Sequence, residues 1–203
     1  MSDIPQPAAR HKMSPTARII IIIVGIAAMA GGILQIKKGL GGTKMDPGVE
    51  RLSKESDTAF AEANKDLATA APLFQSVLEA VDKEGLASVR EQKKAEVERV
   101  IALYDQASQK LRLAAQKTTD AAALKPGEKL QSFLETKAEA YRGFASARDV
   151  SRDIARMVLD DSIKTSEELV PKISEAVTRC QKLEASANEV NARADKIVAD
   201  SKK

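Results

Sequence analysis

From Val49 onward only three glycines (Gly85, Gly127, Gly143) and three prolines (Pro72, Pro126, Pro171) interrupt the chain. Glycine and proline are the residues least compatible with a helix interior, so their scarcity over such a length constrains the fold to long helices. Composition agrees. Of 203 residues 33 are Ala, aromatic residues make up 3% and Trp is absent, which argues against a sandwich or barrel.

The breaks divide the chain into pieces of matched length. Asp46-Pro47 reads as an N-cap followed by proline at the first helical position. Asp82 to Gly85 and Leu124 to Gly127 read as helix ends and turns. Asp160 to Ser166 is a polar break, and Thr165 with Glu168 forms a capping box. Helices are thus expected near 47–82, 86–119, 128–161 and 165–201, each 34 to 37 residues long. Helices of that length, about 50 Å each and joined by short turns, pack most economically as an antiparallel up-down four-helix bundle over 47–201. Pro72 and Pro171 either kink or end their helices, and the sequence leaves both outcomes open.

Periodicity gives the same answer by a separate route. Phe60, Ala63, Leu67, Ala70, Phe74, Val77 and Val81 step by alternating threes and fours. So do Leu86, Val89, Val97, Val100, Tyr104, Ala107, Leu111 and Ala114, with Lys93 at a site where an apolar residue is expected. The last segment repeats the pattern through Ile173, Ala176, Cys180, Leu183, Ala187, Val190, Ala194 and Ile197. The third, with Leu130, Phe133, Tyr141, Phe144, Val150, Ile154 and Val158, is less regular. A sustained 3.5-residue period predicts coiled-coil-like packing, and the many seam alanines predict close helix approach.

A second feature precedes the bundle. Ile19 to Ile36 is eighteen residues with Gln35 the only strongly polar one, and as a helix it reaches about 27 Å. Five consecutive isoleucines leave no polar face, which excludes a buried amphipathic helix. Arg18 before it and Lys37 and Lys38 after it suit the two headgroup layers. The segment is expected to be a transmembrane signal anchor, preceded by a basic, Pro-containing disordered tail (1–18) and followed by a Gly-rich linker (37–46). A cleaved signal peptide ending at Ala28-Met29-Ala30 competes with this, but it would leave an apolar Gly31–Ile36 stub. Ala27 with Gly31 and Ala28 with Gly32 are small-residue pairs four apart, through which two spans can dimerise.

Charge obeys the same division. Residues 1–44 hold six Lys/Arg and one acid, leaving 26 basic and 28 acidic residues in 45–203. Interspersed charge of both signs is the pattern of solvated helix faces, not of a phosphate-binding surface, so nucleic acid is not an expected partner. The basic residues flanking the span do not fix its orientation. A short basic tail before one N-terminal span is the usual form of an anchor that exports the domain C-terminal to it, and the helical domain is placed on the exported side.

Chemistry is sparse. His11, the one histidine, lies in the N-terminal tail, so no Ser-His-Asp, Cys-His or Glu-x-x-His set can be built in the bundle. One Cys cannot form an internal disulfide, and Cys180 at a seam position reads as a buried inert thiol. The acidic pairs Asp160-Asp161 and Glu167-Glu168 lie at a turn, where acids cap helix N-termini more often than they bind cations. No catalytic, cofactor-binding or metal-binding residue is expected, and no cofactor.

The expected function is therefore non-enzymatic: a membrane-anchored bundle acting through protein contacts as an envelope scaffold, spacer or assembly subunit. Its expected partners are membrane lipid and either further copies of itself or another envelope protein. The alternative is a ligand-binding sensory bundle signalling through a partner subunit. A third reading keeps the same bundle at the cytoplasmic face.

Overall fold

The computed structural model describes residues 45–200. These form five helices: α1 (Pro47–Glu84), α2 (Leu86–Gln92), α3 (Lys94–Ala123), α4 (Glu128–Leu159) and α5 (Ser166–Asp200). They make a helical bundle, with no strand among the described residues. The expected tail, span and linker, with Arg18, Ile19, Ala27, Ala28, Gly31, Gly32, Ile36, Lys37 and Lys38, lie outside the described residues. Within them no helix is long and apolar enough to cross a membrane.

Local sequence sets the helix ends. Asp46 Oδ1 accepts from the Gly48 and Val49 amides at 2.7 and 3.3 Å, satisfying first-turn donors that have no partner within the helix. Gly85 and Gly127 turn the chain at φ of 86° and 103°, where a side chain would be strained. At the fourth arm Thr165 Oγ1 accepts from the Glu168 amide, while Glu168 accepts from the Lys164 amide.

Two expectations are revised. The segment read as one helix over 86–119 is two, α2 and α3, and runs on to Ala123. The break falls at Lys93 (φ −118°, ψ 15°). Its cause is spacing: Val89 and Val97 both point inward but lie eight residues apart, one more than a heptad, and the extra residue is taken up there. Lys93 turns its ammonium to Glu96, 3.3 Å away, and so stays out of the core. Pro72 and Pro171, by contrast, end nothing. Both lie inside continuous helices with exposed rings, so the carbonyl each leaves unpaired is within reach of water. The outer bounds shift by two residues at α1, which ends at Glu84, and at α4, which ends at Leu159.

The four arms run up, down, up and down. Ser56 near the start of α1 meets Thr118 near the end of α3, and Lys137 near the start of α4 meets Asp195 near the end of α5. The start of α1, the α3–α4 turn and the end of α5 therefore share one pole. Backbones approach closely between α1 and α3, α3 and α4, and α4 and α5, whereas α1 and α5 do not share so close an approach. Burial reflects this. In α4 15 of 32 residues are buried and in α5 only 8 of 35, so α4 is the central arm and α5 a peripheral one.

The core is thin where alanine lines it and thick where aromatic rings stack. Phe60 lies on Tyr141 with centroids 5.1 Å apart, and Phe74 meets Tyr104 edge-on at 6.2 Å. Gly143 sits against Ala187, so close that an added Cβ would lie 2.9 Å from the alanine's own. Small residues on both sides set how near α4 and α5 run.

Candidate functional site

The third segment's irregular periodicity has a specific cause. Between Phe133 and Tyr141, and again after Phe144, the inward positions are taken by Lys137 and Arg148, both buried. A charge withdrawn from water must find a partner, and these find theirs on α5. Arg148 pairs with Glu184 inside the bundle. Lys137 reaches Asp195 at 3.3 Å and donates to Asn191, with its ammonium also over the Phe133 ring.

These pairs share one antiparallel register. Position 148 faces 184, 139 faces 193 (Glu139 to Arg193, 3.7 Å) and 137 faces 195. Sliding α5 by one heptad would bring Val177 or Asn191 opposite Arg148, leaving a buried cation without an acid. Breaking such a pair costs about 3–5 kcal/mol, although replacing both partners by apolar groups is often neutral. The seam thus selects a register more than it adds stability.

Sequence reading missed this. It placed Leu183 at the seam, but Leu183 is only half-buried and Glu184 turns inward instead. The available signal was the gap itself: basic residues at the two absent apolar sites of α4, eleven apart, and acids eleven apart on α5.

Arg148 also lines a cavity of about 10 Å³ with Phe74, Tyr104, Ser151 and Cys180. Its Nε has no hydrogen-bond partner, and burial pulls its pKa down from the ordinary guanidinium value. Burial also pushes the Tyr104 phenol up to about 12. The Cys180 thiol is buried, 3.4 Å from the Ala147 carbonyl and 3.5 Å from Ser151 Oγ. A guanidinium, a phenol and a thiol are a reactive set on paper. The space between them holds about one water molecule. No substrate fits there without opening the bundle.

Near the shared pole the buried contact between α1 and α3 is polar but uncharged. Ser56 and Thr118 hydrogen-bond each other at 2.8 Å and both reach the Ala114 carbonyl. At the far pole Arg90 of α2 donates to the carbonyls of Val158, Asp160 and Ile163. It thereby satisfies acceptors at the C-terminus of α4 and fixes the turn into α5. The acidic pairs there have local duties. Asp160 accepts from the Ser162 hydroxyl and amide, which together hold its carboxyl below the usual range, and Glu168 completes the α5 cap. Among the described residues no group of three His, Cys, Asp or Glu is arranged to hold a metal ion.

An open groove of about 730 Å³ lies between α1 and α3, near the shared pole. Pro47, Glu50, Lys54, Glu62, Leu113 and Lys117 lie along it, with Leu113 48% exposed. Its charges pair within the chain: Lys117 with Glu55 at 2.6 Å, and Lys54 with Glu50 at 3.2 Å. The hydrogen bond from Lys117 lowers the Glu55 pKa. The groove thus combines the exposed Leu113 with three acidic and three basic side chains, Glu50, Glu55, Glu62, Arg51, Lys54 and Lys117.

Comparison with protein-family models finds no match, and comparisons with curated proteins and with solved structures find none either.

Proposed function

We propose that this chain is a non-enzymatic, membrane-anchored helical bundle that works through protein contacts, as an envelope scaffold, spacer or assembly subunit. The observation that carries the reading is the filled interior. Where the four arms converge on Arg148 the free volume is about 10 Å³, so the chemistry accessible without unfolding lies on the outer faces. Two further features support it. The bundle is a rod about 50 Å long whose first helix starts eleven residues after the apolar segment ends. Its outer faces carry mixed charge, which keeps an exposed rod from aggregating and leaves room only for specific contacts.

The test is crosslinking in native membranes combined with the native mass of the chain extracted in mild detergent. Recovery of an oligomer or a defined heteromeric partner is the expected result. A strict monomer with no crosslinked partner would overturn the reading. Saturable thermal stabilisation by small metabolites would replace it with the sensory alternative.

A further inference from the structure

The pole at which α1 begins is the one that follows the apolar segment in sequence, and it carries an exposed leucine. Leu124, in the α3–α4 turn, is 50% exposed. It leans over the first turn of α1, where a Cβ added at Gly48 would lie 3.0 Å from Leu124 Cδ1. The next residue, Lys125, adopts a left-handed φ of 52°, and both Lys125 and Lys129 are exposed. The same pole holds the acids Asp46, Glu128 and Asp200. Asp46 is committed to the α1 cap, and the turn itself presents two exposed cations, Lys125 and Lys129, with one exposed acid, Glu128, beside the leucine.

Eight residues lie between Ile36 and Met45, nine Cα-to-Cα steps in all. Fully extended they reach about 30 Å, and any slack brings the pole closer to the end of the apolar segment. We propose that this pole seats on the phospholipid surface, with Leu124 entering the boundary between headgroups and acyl chains and Lys125 and Lys129 against lipid phosphates. This rests on the membrane-anchored reading above. It adds that the bundle stands on the bilayer through its α3–α4 turn instead of hanging from a free tether, so its long axis has a defined direction.

The test uses the full chain in phosphatidylcholine vesicles, with and without phosphatidylglycerol. Leu124→Cys and, as the far-pole reference, Ser162→Cys are each labelled with an environment-sensitive fluorophore, Cys180 being buried in the folded chain. The expected result is a blue shift and severalfold stronger quenching by lipid-borne quenchers at position 124 than at 162, increased by the anionic lipid. Equal solvent exposure of the two labels on vesicle-bound chain would overturn the proposal while leaving the anchor intact. Protection of position 124 that tracks protein concentration rather than lipid would assign the surface to a second copy and also overturn it. A chain that does not float with vesicles would remove the anchored reading itself.

Discussion

The α1–α3 seam and the α4–α5 seam join helices of similar length by different means. Between α1 and α3 the buried residues include Ala59, Ala63, Ala107, Leu111 and Ala114, with Phe74 edge-on to Tyr104 and the neutral Ser56–Thr118 hydrogen bond. Its ion pairs, such as Lys110 to Asp66 at 2.8 Å, lie along the partly exposed edge. Between α4 and α5 two cations, Lys137 and Arg148, are inside. Apolar contact is tolerant of register because one alanine layer resembles the next. A buried Arg148 beside Glu184 is not, since only one alignment gives the cation an acid. The peripheral arm, with the least buried surface to hold it, is also the arm whose alignment is specified by charge.

Substitutions at the two seams should separate these roles. Glu184→Leu is expected to lose about 3–5 kcal/mol of unfolding free energy, because Arg148 is left buried and unpaired. Adding Arg148→Met should recover most of that loss in urea denaturation, while loosening the register of α5 as read by crosslinks between engineered cysteine pairs on α4 and α5. A double variant that stays as destabilised as the single one would show that the two side chains are not coupled.

Gly143→Ala should cost about 1–3 kcal/mol. Alanine is the better helix former, but its methyl would press on Ala187, which has no rotamer to yield, and α4 and α5 would be pushed apart. An increase in stability would mean that the two helices separate at little cost. On the other seam Ser56→Ala should lose only about 1 kcal/mol, since Thr118 keeps its own bond to the Ala114 carbonyl.

The smallest effect is expected at the rim of the α1–α3 groove. The Glu55 pKa is lowered in the folded chain, so the carboxylate adds stability above its unfolded value and the contribution is lost as pH falls through the folded value. The group is solvent-exposed, so salt should erase most of the shift. A side-chain carboxyl titration by NMR, repeated with Lys117→Gln, should show the Glu55 midpoint rise towards the ordinary value. An unchanged midpoint would rule out Lys117 as the cause.

Much of the architecture was readable from residues alone. All seven seam positions expected in the first segment, Phe60 to Val81, are buried, as are the eight from Leu86 to Ala114. The Asp46 cap and the turns at Gly85 and Gly127 depend on adjacent residues, which is why local reasoning located them. The break at Lys93 was visible as an apolar site occupied by a lysine, but whether a helix absorbs an extra residue by bending or by breaking depends on what packs on both sides. Pro72 and Pro171 were undecided for a related reason. A proline inside a helix costs a hydrogen bond, and only its exposure decides whether water can replace that bond.

The candidate site was less legible than the fold. Pairing of 148 with 184 joins residues on two helices, and no periodicity within one segment states which register the other adopts. The sequence by itself determined that this chain is helical, where its helices turn, and which faces of α1, α2 and α3 are apolar, because these depend on propensity, capping and spacing over a few residues. Tertiary structure decided that α4 is central and α5 peripheral, that Glu184 and not Leu183 faces inward, and that the interior is closed around Arg148. Those outcomes depend on how side chains from separate arms share one volume, and a buried charge is settled only when its partner is in place.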